Sequence, residues 1–243
     1  MLLQAEVLLM VLAIGLYLYD SALLLHVNEG VILPKRGGGW LVRFGSSNVC
    51  LMGKELYLPS PFSPHRPAFR LLWDLPSKPM EVQSAWEARR ELFKAVVPLV
   101  WAMAFALFVL LPLGLFSRLG DRMVLLAIVV LYLNIAGALS WLGMHRKQLG
   151  MSIRHFGVLA FELLVCPPFA VNVIRRVSLE MPVDDDLMVV ARQLQAPADW
   201  SATRERFIAR LDEEIDAEDE NSTRIALLRD SRKKLIEDES CPA

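Results

Sequence analysis

One stretch of this chain sets a carboxylate among groups that could act with it. In FELLVCPPFAVN, Glu162 and Cys166 stand four residues apart, so on a helix they share a face. Pro167 and Pro168 follow at once, remove two backbone donors and break that helix. A carboxylate inside an apolar run costs roughly 2.5–3.5 kcal/mol to insert into a bilayer and normally faces protein or water. The chemistry open to Glu162 is proton or cation handling, or an enzyme site. The plainer assignment is a headgroup-level carboxylate paired with Arg154 or Arg175. Asn134, in another apolar run, is the second polar residue a membrane pathway could use. One acid without a matching base or second acid makes a poor relay.

The other chemistry-bearing residues are scattered. His26, His65, His145 and His155 show no HxxxH or HExxH spacing. Cys50, Cys166 and Cys241 form neither a CxxC nor an even-numbered framework, so they read as free thiols in a reducing compartment. No metal and no cofactor are expected. GKEL and KRGGGW lack the glycine spacing or the following helix of a phosphate loop. No Ser/His/Asp, Cys/His or paired-carboxylate set stands out, which weighs against an enzyme.

The elements that would position these residues are mostly apolar. Residues 95–116 and 123–144 are two runs of 22 uncharged residues joined by SRLGDR. About 20 apolar residues at about 1.5 Å each cross the roughly 30 Å hydrocarbon core of a bilayer, so a transmembrane hairpin is expected. Residues 2–27 form a third apolar block with Glu6 and Asp20 near its ends. With no Lys or Arg before Lys35 it reads as an uncleaved anchor, a helix flat on the interface being the alternative. Residues 156–174 are ambiguous. A broken segment that enters the interface and returns is preferred over a fourth span, because a span would carry Arg175, Arg176 and the whole tail outside. The flanking Lys and Arg place the N-terminus outside and residues 28–94 and 145 onward inside. Short loops and free thiols suit a bacterial cytoplasmic (inner) membrane. Ala136 and Ser140, with Gly137 and Gly143 nearby, offer a small-residue packing face.

The fold class expected is therefore a membrane α-helical protein. It has three transmembrane helices, a possible fourth or re-entrant segment, a small cytosolic β meander and a C-terminal helical hairpin. Five segments are expected: an anchor over 1–27, a meander with a proline-rich strap over 28–80, a transmembrane hairpin over 81–144, the broken segment over 145–183, and an acidic tail over 184–243. Strand candidates lie at 31–33, 40–44, 49–52 and 55–58, with Trp40, Val42 and Phe44 alternating against Leu41 and Arg43. Six prolines from Pro59 to Pro79 make a strap with Phe62, Phe69, Leu72 and Trp73 as anchors. Pro64, His65, Arg66, Phe69 and Trp73 are the candidate interaction residues, for a protein partner or a lipid headgroup. Packing of the strap over the sheet is the plainer alternative.

Charge divides the chain although its net value is −1. Residues 1–183 hold 17 Lys and Arg against 11 Asp and Glu, and residues 184–243 hold 9 against 16. The basic residues are scattered and carry no recognition motif, so nucleic acid is not an expected partner. In the tail, Asp184–Asp186 precede one helix, Asp199 or Ser201 would cap a second, and Ser222 a third. Apolar stripes fall at Phe207, Ile208, Leu211 and Ile215 and at Ile225, Leu228, Leu235 and Ile236. The expected function is a multi-pass membrane interaction or scaffold subunit that fastens a cytosolic assembly to the bilayer, with another subunit or a homo-oligomer as partner. The alternative is a component of an oligomeric transporter or channel built on the Glu162 segment.

Overall fold

Proline and glycine decide where the long apolar runs start, widen and turn. The computed structural model describes residues 2–35, 37–73, 83–118, 120–218 and 222–237. It divides into two compact units, neither continuous in sequence: Met1–Leu23 with Tyr57–Phe69 and Trp86–Pro182, and Leu24–Leu56 with Arg70–Ala85 and Val183–Ala243.

The first unit is built on helices. They are α1 (Leu2–Ser21), α2 (Gln83–Leu92, from Trp86 on in this unit), α3 (Val97–Phe116), α4 (Gly120–His145), α5 (Ile153–Val165), the single turn α6 (Pro167–Ala170) and α7 (Val173–Glu180). Pro98 sits in the first turn of α3, where its missing N–H is not needed. Pro112 falls further along, where it cannot donate to the carbonyl four residues back. The ladder widens just before it into a π turn over Ala106–Leu110, with the Leu111 N–H reaching Ala106 O. Helix α4 buries Ala127, Leu131, Ile135, Ala138 and Leu142, one face at helical spacing, and leaves Leu125, Leu126, Ile128, Val129 and Leu133 exposed. A Cβ on Gly114 would lie 2.7 Å from the Val124 backbone nitrogen, so α3 and α4 meet there at hydrogen-only distance. By length and composition α3 and α4 are the two helices, among the described residues, able to cross a membrane.

The small-residue face departs from expectation. Ala136 and Ser140 are exposed, and Ser140 Oγ donates to Ala136 O within its own helix at 2.8 Å. The close contacts belong to Gly137, against Leu99, and Gly143, against Phe156. The first apolar block also ends early. Ala22 N donates back to Leu18 O, and Leu23–Leu25 leave the helix as strand β1 rather than prolonging α1 to residue 27.

The second unit holds most of the β structure. After β1 come β2 (Glu29–Pro34), β3 (Trp40–Arg43), β4 (Ser46–Leu51), β5 (Lys54–Tyr57) and β6 (Phe69–Leu72). They form two three-stranded sheets, ordered β1-β5-β4 and β3-β2-β6, instead of one meander. In the β2–β3 hairpin Ile32 faces Val42 and Pro34 faces Trp40, so the predicted alternation becomes one buried face. Met52 and Gly53, with φ of 51° and 75°, turn β4 into β5, the left-handed pair that a two-residue hairpin demands. Residues 69–72, expected as strap, pair as β6 because the proline-free run FRLL keeps its N–H donors. The strap's Pro76 and Pro79 lie outside the described residues.

Helices α8 (Leu187–Leu194), α9 (Pro197–Ala217) and α10 (Thr223–Glu237) complete this unit. Asp186 caps α8 by accepting from Met188 N at 2.8 Å and Val189 N at 3.2 Å. Pro197 opens α9 in its first turn, so neither Asp199 nor Ser201 caps it. Ser222 Oγ accepts from Arg224 N at 3.2 Å at the head of α10. Phe207 is the hub of this core, with ring centroids 5.1 Å from Phe44 and 6.2 Å from Trp73. Leu211, Ile225, Leu228 and Leu235 are buried, whereas Ile236 is exposed and falls off the expected stripe.

Candidate functional site

The residues around Glu162 form a helix–break–helix hairpin in the first unit. Ser152 opens α5 by accepting from His155 N at 3.1 Å. Cys166, forced out of helical geometry by the following proline, has φ −125° and ψ 80°. Its N–H still reaches Glu162 O at 2.8 Å, the last bond of α5. Pro168 cannot donate to Leu164 O, and the Tyr132 hydroxyl supplies that bond at 3.1 Å. The chain then turns through α6 and returns as α7.

One ion pair and one histidine–carboxylate contact tie the outgoing and returning arms. Glu162 pairs with Arg176, and His155 Nε2 lies 2.6 Å from Glu180 Oε2. The residue numbers of the two pairs run in opposite senses along the two arms, as in an antiparallel hairpin. Arg176 also lies 3.6 Å from Asp20 Oδ1, at the end of α1. Glu162 therefore takes Arg176 and not Arg154 or Arg175. On a helix, consecutive residues point about 100° apart, so when Arg176 faces α5 its neighbour Arg175 is turned elsewhere.

Arg175 is 3% exposed, and it donates to Asn172 Oδ1 at 3.3 Å, Ser60 O at 3.2 Å and Ser63 O at 3.1 Å. Asn172, equally buried, donates from Nδ2 to Tyr17 O at 3.1 Å and Ser21 Oγ at 2.9 Å. Tyr17 donates its hydroxyl to Pro61 O. One connected network thus joins the end of α1, the strap at 60–63 and the hairpin. Beside it Arg176 sits between Glu162 and Asp20, and Asp20 Oδ2 is buried without a hydrogen-bond partner among the described residues.

The sequence-derived residues fall in several places. Glu162, Cys166, Pro167 and Pro168 all belong to the hairpin. Asn134 donates to Val130 O at 2.7 Å in its own helix. Pro64 is buried, and the ring of His65 lies 5.0 Å from that of Trp101, with Arg66 the next residue. Phe69 is fully buried between Trp86 and Phe93. Trp73 belongs to the other unit, buried against Phe207. Phe69 and Trp73 are therefore core residues and not an exposed docking surface, because β6 draws them into pairing and packing. Asp20, Asn172, Arg175 and Arg176 were not singled out as a site. Their signal was present as four strongly polar residues bordering apolar runs.

The second unit has its own buried ion pair. Arg210 pairs with Glu55, donates to Val27 O at 2.8 Å and Gly45 O at 3.3 Å, and lies 4.7 Å over the Phe44 ring. Nearby, a pocket of about 430 Å³ is lined by His26, Asn28, Gly53, Glu214 and Arg224. Burial raises the Glu214 carboxyl above its usual range, and Arg224, 2.7 Å away, partly offsets it. Among the described residues no three His, Cys, Asp or Glu side chains converge as metal ligands. The chain matches no protein-family model, no curated protein and no solved structure.

Proposed function

We propose that this chain is an integral membrane interaction subunit that holds a protein assembly at the bilayer. In this reading α1, α3 and α4 cross the membrane with the N-terminus outside, the hairpin over 153–180 enters and returns, and the α/β unit faces the cytosol of a bacterial cell. The observation that carries the reading is the bonding of α1, the strap and the hairpin through Tyr17, Asn172 and Arg175, whose polar atoms meet backbone carbonyls and one another. Such bonds lock helices together, whereas a proton or ion relay needs groups that exchange partners. The exposed leucines and valines of α4 add to it, since a helix apolar on its solvent face is at home in lipid.

Mild-detergent purification of the full chain tests the reading. A second polypeptide in fixed stoichiometry is the expected outcome. A homo-oligomer alone, with ion flux after reconstitution into liposomes, would overturn it in favour of transport.

A further inference from the structure

The end of α4 and the head of α5 carry positive charge and no acid. Between Asp121 and Glu162 the chain has no Asp or Glu, yet Arg146, Lys147 and Arg154 fall within nine positions. Lys147 and Arg154 are exposed and Arg146 is half-buried. Among the described residues none of the three has an ion-pair or side-chain hydrogen-bond partner. The carboxylates of the hairpin are engaged elsewhere, Glu180 with His155 at 2.6 Å and Glu162 with Arg176. Met151 N donates to Arg146 O at 2.8 Å and Gly150 N to Lys147 O at 3.2 Å. This closed turn brings Arg146 and Lys147 to the head of α5, where Arg154 stands.

An apolar face runs away from that end. About 100° per residue places Arg154, Val158, Phe161 and Val165 on one side of α5. Val158, Phe161 and Val165 are exposed, while Leu159 and Leu163 on the other side are buried. Helix α5 runs back along α4: a Cβ on Gly143 would lie 3.3 Å from the Phe156 ring, and the Tyr132 hydroxyl reaches Leu164 O at 3.1 Å. Tyr132 is midway along α4 (Gly120–His145), a helix long and apolar enough to cross a membrane. From Arg154 to Val165 is eleven residues, about 16 Å, or half of the roughly 30 Å hydrocarbon core. The free face of α5 is thus basic level with the end of α4 and apolar down to its middle.

We propose that this face binds anionic phospholipid of one leaflet, with the phosphate at Arg146, Lys147 and Arg154 and the acyl chains along Val158, Phe161 and Val165. Charge and depth commit the occupant. Three cations without counter-ions call for an anion. An acidic protein segment would answer the charge but has no use for an apolar face reaching the middle of a membrane-crossing helix. The proposal rests on the reading that α4 crosses a bilayer and α5 enters it.

The test places an NBD fluorophore beside Arg154, on Ile153→Cys in a chain whose Cys50, Cys166 and Cys241 are replaced by serine. The full chain is reconstituted in phosphatidylcholine vesicles at low salt, and nitroxide-labelled phosphatidylglycerol or nitroxide-labelled phosphatidylcholine is titrated in as quencher. The half-point should come at a mole fraction at least about fivefold lower for the anionic lipid, the effect of one basic residue near a surface. Arg146→Gln, Lys147→Gln and Arg154→Gln together should bring the two half-points level, and about 0.5 M salt should narrow the wild-type difference. Equal half-points in the wild-type chain, or a preference that survives the triple variant, overturns the site. If the triple variant misfolds, a wild-type preference indifferent to salt overturns it instead. Equal wild-type half-points, with a co-purifying polypeptide lost from the triple variant, reassign the face to an acidic protein. A fluorophore that neither lipid quenches defeats the reading that the hairpin enters the bilayer, a result distinct from the others.

Discussion

The two units bury charge in different ways. Arg210 and Glu55 in the α/β unit form a sealed pair, with side-chain exposures of 9% and 5%. Glu162 and Arg176 in the helical unit keep 35% and 24%, and Arg176 divides itself between two carboxylates. The sealed pair fastens α9 to β5 and to two backbone carbonyls. The open cluster spans a chain break that prolines impose and that no continuous backbone ladder could bridge. Sealed charge is costly to uncover because nothing else can solvate it, while a partly open cluster can borrow water or headgroups. The same residue types therefore carry unequal energetic weight.

The largest test of that contrast is Arg210→Ala. It leaves Glu55 buried without a counter-ion and removes the guanidinium over Phe44, so unfolding of the purified chain in denaturant should lose about 3–5 kcal/mol. A loss under about 1 kcal/mol would mean that Glu55 finds another partner. Arg176→Ala should cost less, about 1–2 kcal/mol, because Glu162 retains access to solvent. The double variant Arg176→Glu with Glu162→Arg should recover part of it in a double-mutant cycle. No recovery would show that the pair does not close the hairpin.

Much of the architecture was legible, for reasons that differ by element. The runs behind α3 and α4 are long and uncharged, so the two helices could be read from length and composition. Trp40 and Val42 announced β3 by period two. Strand β1 was hidden because Leu23–Leu25 extend an apolar run without interruption, and only the loss of the helix ladder after Ser21 separates them. Strand β6 was hidden by the prolines around it. At the site, the Pro167-Pro168 break was legible and the partner of Glu162 was not. Choosing Arg176 over Arg175 requires the rotational phase of α7 against α5. Tyr17 and Asn172 meet across 155 residues of sequence, a juxtaposition no local pattern encodes.

Smaller effects sharpen the same comparison. Tyr132→Phe removes the one hydroxyl that satisfies Leu164 O beside the proline break, and should cost about 0.5–1.5 kcal/mol in the same assay. A change indistinguishable from zero would mean that Leu164 O is satisfied without it.

The α/β unit should also show opposed carboxylate titrations. At Glu29, burial pushes the carboxyl up, but hydrogen bonds from Arg70 and the His26 N–H outweigh it and hold the group below its usual range. Its contribution is complete above the ordinary glutamate value of about 4.3 and is lost as pH falls through the lower folded value. Glu214, held high mainly by burial, behaves oppositely: ionising it costs stability as pH rises through its folded value. Glu29→Gln should therefore flatten the acid limb of a stability–pH curve, and Glu214→Gln should raise stability near neutrality slightly. Superimposable curves for both variants and wild type would remove these assignments.

The central claim is that residues 153–180 enter and return on one side, closed by Glu162–Arg176 and His155–Glu180. Single cysteines at exposed Arg154 and Asp184, in a background with Cys50, Cys166 and Cys241 replaced by serine, test it with a membrane-impermeant maleimide on intact cells. Both positions should resist labelling from outside and react together once the cells are permeabilised. Labelling of Asp184→Cys but not Arg154→Cys in intact cells would mean that the segment spans, and would contradict the account.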